Sequence, residues 1–170
     1  MRCERSNNWL TLEFEEREKE LLLYSLEELE GHYSTDESTL STKSQAYWKG
    51  KLTHSKDIEK ELSEESVDLS ETRRLWKSER LILVRKWLAE EGTLKTQGGG
   101  ILVLDQGEAE QFLAVINDRR LLLALEHNLD EEMMSRHLSK INDSELQQAL
   151  WEIHFLAIIQ HYILEGIDVP

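Results

Sequence analysis

Two stretches ninety positions apart share one pattern, and that pattern constrains the fold more than any other feature. Gly98 to His127 begins with three glycines and passes through Ile101-Leu-Val-Leu104. It then reads Asp105-Gln-Gly-Glu108-Ala-Glu110 and enters a long apolar-rich run. Near the N-terminus, Trp9-Leu-Thr-Leu-Glu-Phe14 leads into Glu15 to Glu30. Under the shift of ninety, Leu12 falls on Leu102, Phe14 on Leu104, Glu15 on Asp105, Glu18 on Glu108, Glu20 on Glu110 and Leu23 on Leu113. Each copy reads as strand, acidic cap and helix. Asp105 with Glu108 is an Asp variant of the capping box, and acids at a helix start suit the positive end of its dipole. A lone short strand leaves backbone groups unpaired. The strands at about 10–14 and 101–104 are therefore expected to pair as a two-stranded ribbon, with Gly98 to Gly100 letting the second reach the first.

The rest of the chain reads as helix. Leu22, Leu26 and Leu29 form a stripe on the first helix, and Gly31 is the expected stop. Residues 33–56 are a Ser/Thr-rich mobile segment, with seven Ser or Thr between Ser34 and Gln45. Tyr47, Trp48 and Leu52 interrupt it and are expected to dock on the core. Lys56 to Glu65 suits a short polar helix. Ser70 is the expected N-cap of a well-buried helix running to Glu91, with Leu75, Leu81, Ile82, Val84, Trp87 and Leu88 spread over more than one face. The helix after Asp105 runs to about Glu126, and Asn128 is its stop. Asp130 caps a short helix to Ser139. Asn142 or Asp143 caps the last helix, which ends near Gly166 and carries Leu146, Ala149, Leu150, Ile153, Leu156, Ala157 and Ile159. The expected fold is mainly α: a single-domain helical bundle over 1–170, with about five helices and the ribbon.

A chain of 170 residues with one proline can bury a core without disulfides or metals. Cys3 is the only cysteine, which excludes an internal disulfide and a multi-cysteine metal site. Met1 to Trp9 reads as a frayed terminus with no apolar leader, and charges such as Asp118, Arg119 and Arg120 interrupt every candidate membrane span. A cytoplasmic location is the expectation. The formal charge of -14 disfavours nucleic acid and anionic membranes as partners. The basic residues Arg73, Arg74, Lys77, Arg80, Arg85 and Lys86 are expected to bridge to surplus carboxylates.

Candidate chemistry is sparse. The three glycines precede the expected strand and no Lys-Ser or Lys-Thr follows, so they make no phosphate loop. No serine sits in a nucleophile elbow, and the glutamate runs lack an alternating calcium loop. His154 and His161 are seven apart, about 10 Å on one helix, too far for one ion even with Glu165 nearby. Neither a metal nor a cofactor is expected. The polar cluster Asn117, Asp118, Arg119 and Arg120 stands out because it interrupts an apolar helix. Buried charges must be paired. The cluster is either a network that fixes how helices dock, or a site that holds a carboxylate or peptide terminus in an arginine fork.

The run Gly100-Ile-Leu-Val-Leu-Asp105, then Glu108 and Glu110, then Asn117-Asp-Arg-Arg-Leu121, resembles an uncharacterised bacterial family. That family is a domain of unknown function best known from actinobacteria. Trp151, Gln160 and Ala46-Tyr47 resemble further elements of it. Ile116 stands where the family has Leu, and Ile153-His-Phe155 replaces its aromatic pattern. The resemblance implies no activity or cofactor. Family genes lie often near that of the Clp protease adaptor, which implies a link to regulated proteolysis. The leading expectation is a non-enzymatic interaction or adaptor-type protein, with Trp48, Trp76, Trp87 and Trp151 as anchors. Its partner would be the Clp machinery or a second copy of the chain. The alternative is a small-ligand-binding protein or enzyme built on Asn117 to Arg120.

Overall fold

The structure, a computed structural model, describes residues 1–6, 8–48, 65–89, 94, 98–130, 133 and 141–168. The two echoed units form β2 (Trp9–Phe14) with α1 (Glu16–Ser34), and β3 (Gly100–Asp105) with α4 (Gln106–Glu126). β2 and β3 pair antiparallel, with Leu12 opposite Leu102. Those two residues are also partners under the shift of ninety. The local twofold axis of the antiparallel pair therefore maps each strand onto the other in the register of the repeat. At the second copy, Glu108 N–H donates to Asp105 Oδ1 at 2.8 Å and the Glu108 carboxylate takes the Asp105 N–H at 3.3 Å. At the first, the Glu18 carboxylate takes the Glu15 N–H at 2.9 Å. Gly98 adopts φ 82°, the left-handed region the turn into β3 requires.

The sheet has three strands, not two. β1 (Arg2–Ser6) pairs antiparallel with β2, with Cys3 opposite Leu12. Arg-Cys-Glu-Arg-Ser has too little apolar alternation to announce a strand, and its pairing depends on distant chain. The Arg5 guanidinium donates to the carbonyls of Gly166 and Ile167 at 3.1 and 3.3 Å, at the end of the last helix, α5 (Ser144–Asp168). Cys3 packs half-buried against the core. A Cβ at Gly166 would lie 2.4 Å from Leu10 Cδ1, so only glycine lets α5 approach the sheet this closely.

Strand alternation sends Leu10, Leu12, Phe14, Leu102 and Leu104 inward, while Trp9, Ile101 and Val103 face outward and are exposed. The helices cover the inner face. Leu22, Leu26 and Leu29 of α1, Phe112, Val115 and Ile116 of α4, and Leu156, Ile159 and Ile163 of α5 complete the core. Trp87 packs edge-on to Phe112, with ring centroids 4.9 Å apart. α4 and α5 form an antiparallel hairpin: Leu123 packs with Ala149 at one end, and Gln160 donates to the Leu113 carbonyl towards the other.

Several boundaries differ from the sequence expectation. α1 continues through Gly31 to Ser34, because Tyr33 is buried one turn beyond Leu29 and its docking outweighs the modest helix cost of glycine. The Ser/Thr-rich stretch holds a 3-10 turn (Glu37–Thr39) and α2 (Thr42–Trp48) instead of a continuous loop. α3 (Glu65–Leu88) starts five residues before Ser70, which is therefore no cap. Capping preference is a weak signal where no Gly or Pro breaks the run before it. α3 is also less buried than expected: Val84, Trp87 and Leu88 are in the core, but Leu75, Trp76 and Ile82 are exposed. Asp143, not Asn142, caps α5 by accepting from the N–H groups of Glu145 and Leu146. α4 ends at Glu126, and Asn128 takes the left-handed φ of 52° that makes it a stop. Asp130 accepts from the Met133 N–H, as a cap would. Leu52, all of the expected short helix at 56–65 except Glu65, the stretch 49–56 of the Ser/Thr-rich segment, Glu91 and most of the helix to Ser139 lie outside the described residues.

Candidate functional site

An α-helix turns about 100° per residue, so four consecutive side chains cannot share one site. Asn117 to Arg120 accordingly point to different neighbours. Asn117 is exposed. Asp118 is buried, at 2% exposure, in a pocket made by three other helices. The Tyr33 hydroxyl of α1 donates to its Oδ2 at 2.6 Å. The Tyr47 hydroxyl of α2 donates to Oδ1, and the Arg80 guanidinium of α3 forms a buried ion pair with Oδ2. Burial, together with the adjacent Asp118 charge, pushes the Tyr33 hydroxyl well above its ordinary pKa, so it stays a donor. Burial works against the Arg80 charge, but the ion pair with Asp118 outweighs it and the pKa is raised.

Arg119 turns the other way and clamps α5. Its Nε donates to Glu152 Oε1 at 2.6 Å and its second terminal nitrogen to Oε2 at 3.1 Å, a two-bond fork. Glu152 is 1% exposed. Glu28 of α1 stands 4.0 Å from the same guanidinium, and the Tyr24 ring lies 5.8 Å beneath it. Burial opposes the Arg119 charge, and the bonds to Glu152 more than restore it. Arg120 donates to the Gln160 side chain, while its Nε is buried without a hydrogen-bond partner.

Above the Arg119–Glu152 fork a cleft of about 210 Å³ opens between α1, α4 and α5. Tyr24, Glu28, Glu126, His127, Glu145 and Gln148 form its rim. The fork already holds a carboxylate of the chain itself, as it would hold a carboxylate ligand.

A second polar junction fixes α2. Trp48, buried, donates its indole N–H to His32 Nε2 at 2.8 Å. The Lys77 ammonium donates to the Thr35 carbonyl at 2.8 Å and lies 5.8 Å over the Trp48 ring. Burial, then the nearby Lys77 and Arg119 charges, push the His32 pKa down to about 4, against an upward pull from Asp118.

The remaining expectations fall into place around these junctions. Arg74 pairs with Glu37, Arg80 with Asp118, Arg85 with Glu30 and Lys86 with Glu108, as expected, whereas Lys77 bonds the Thr35 carbonyl and the side chain of Arg73 lies outside the described residues. His154 and His161 are exposed, and His161 Nε2 sits 3.3 Å from Glu165. Among the described residues no group of three or more His, Cys, Asp or Glu is placed to hold a metal ion. No helix among them is long and apolar enough to cross a membrane.

Sequence reasoning missed Tyr33, His32 and Glu152 as partners, and it expected a carboxylate for Arg80 without naming Asp118. Glu152 carried a readable signal: it is a carboxylate set into the apolar face of α5 between Ala149, Ile153 and Leu156. The others looked like ordinary surface residues.

One family model matches residues 57–166, close to two thirds of the chain, and its description is domain of unknown function (DUF2017). The chain belongs to this family. Comparison with curated proteins gives no match. Comparison with solved structures gives none either. The matched segment of this DUF2017 protein contains Arg80, Asp118, Arg119 and Glu152. Tyr33 and Tyr47 lie before it, so the Asp118 pocket is completed from outside the matched residues.

Proposed function

We propose that this DUF2017 protein works through protein interaction and not through catalysis. The observation that carries the reading is the contrast between α4 and the outer face of α5. Asp118 and Arg119, the buried charges, are engaged by the chain's own side chains. On α5, Trp151, His154, Ile158 and His161 follow each other at helical spacing on the exposed side, with Trp151 59% exposed. A large exposed aromatic residue beside an aliphatic one is what an interface anchor requires. The resemblance of Gly100 to Leu121 to a bacterial family encoded near the Clp protease adaptor suggests the partner: a cytoplasmic component of regulated proteolysis. A second copy of the chain is the other candidate. In a pull-down with purified Clp protease adaptor and protease, the native protein should retain one of them and Trp151→Ala should lose it. Retention of neither, by a chain that sediments as a strict monomer, overturns the reading.

The cleft over Arg119 favours a second reading, a small-ligand site. Acetate is the simplest carboxylate probe for it. Acetate that binds the native protein in calorimetry supports a ligand site. Acetate that binds and stabilises Glu152→Ala alone identifies Glu152 as the fork's permanent occupant.

A further inference from the structure

We propose that α2 is a strap held on the core by the uncharged form of His32, and that mild acid releases it while the rest of the fold stays intact. This goes beyond the interaction reading, because it concerns how one face of the molecule opens.

The geometry makes His32 the lock. α2 has seven residues, too short to be stable as an isolated helix, so its seating must come from tertiary contacts. The largest is Trp48, 3% exposed, which meets Tyr33 and Tyr47 edge-on at 5.8 and 4.9 Å. Its indole N–H is a donor only. At 2.8 Å it needs His32 Nε2 as an acceptor, so that nitrogen must carry no proton. A proton there sets two donors face to face and leaves the buried indole N–H unpaired, which disfavours the docked state.

The surroundings act in the same direction. From α3, Lys77 faces His32. From α4, Arg119 and Asp118 face it. On α1 itself, Glu28 lies one turn earlier and is drawn to Arg119. α2 brings the Tyr47 hydroxyl, Lys43 and no carboxylate. Burial is the largest influence, and the two cations add to it against Asp118, so the docked ring's pKa is pushed down to about 4. Once α2 lifts, the ring returns towards the ordinary value of about 6.5. The sign follows: docking is complete above pH 6.5 and is lost progressively as the pH falls towards 4. α2 has other ties besides His32. Lys43 bonds the Glu126 carbonyl and Asn128, and Tyr47 bonds Asp118.

The test is amide hydrogen exchange on the full chain between pH 7.5 and 4.5, corrected for intrinsic exchange. The opening equilibrium of Thr42 to Trp48 should rise about 10- to 100-fold, the lower figure reflecting solvent screening of a part-exposed ring. Protection in β2, β3 and α4 should not change. His32→Gln supplies a side-chain oxygen that accepts from Trp48 without titrating, and it should abolish the pH dependence. In parallel, NMR titration of the His32 ring in the native protein should give a midpoint near 4. A pH dependence that persists in His32→Gln overturns the proposal. So does loosening of α2 only together with the sheet, or a native His32 midpoint near 6.5.

Discussion

Asp118 and Arg119 are adjacent on α4, oppositely charged and both buried, yet they organise the molecule differently. Asp118 is a hub: one carboxylate collects Tyr33, Tyr47 and Arg80 from three helices that are far apart in sequence. Arg119 is a clamp: one guanidinium spends both arms on Glu152 of the helix that follows. The hub is sealed, whereas the clamp borders a cleft. The difference teaches that burial of a charge does not identify a site. What matters is whether its bonding capacity is exhausted within the fold, and both residues are close to that limit.

The comparison can be broken by substitution. Asp118→Ala should have the largest effect, at the top of the range of about 3–5 kcal/mol for removing one partner of a buried ion pair, because it strands Arg80 and two tyrosine hydroxyls together. Urea unfolding measures it, and a loss under 2 kcal/mol would deny Asp118 its role as hub. Glu152→Ala should fall lower in the same range, since Glu28 and cleft water remain near Arg119. The double variant Arg119→Met with Glu152→Leu sharpens the point. It should recover most of the lost stability, because apolar replacement of a whole buried pair is often neutral or better. If it does not, the clamp does more than dock helices. The smallest change is Tyr47→Phe. It removes one of three donors to Asp118 and should cost about 1.5 kcal/mol, with the loss confined to α2 in hydrogen exchange. A loss spread over the whole fold would mean that the hub cannot lose even one spoke.

The sequence made the scaffold legible in proportion to how local its causes are. The Asp105–Glu108 box and the stop at Asn128 follow from short-range chemistry, the pairing of 10–14 with 101–104 follows from the repeat, and the structure has all three. β1 was hidden because its residues carry no pattern of their own. α1 overran Gly31 because Tyr33 had a distant partner to reach. At the site, the spacing of Asn117 to Arg120 identified residues that need partners, but nothing in it named Tyr33, Arg80 or Glu152.

The sequence by itself determined a mainly helical chain with two capped strand–helix units, a heavy negative charge and a polar interruption in its central helix. Membership in the DUF2017 family is also a property of the sequence. The tertiary structure alone decided that the interruption is turned inward and bonded, that α2 is tied to the core through Trp48, Tyr47 and Lys43, and that Trp151 is left outside. The reason is that hydrogen bonding and charge pairing act over a few ångströms between residues up to 162 positions apart, as Arg5 and Ile167 are. Sequence shows which groups need such partners, and only the folded chain shows which partners they find.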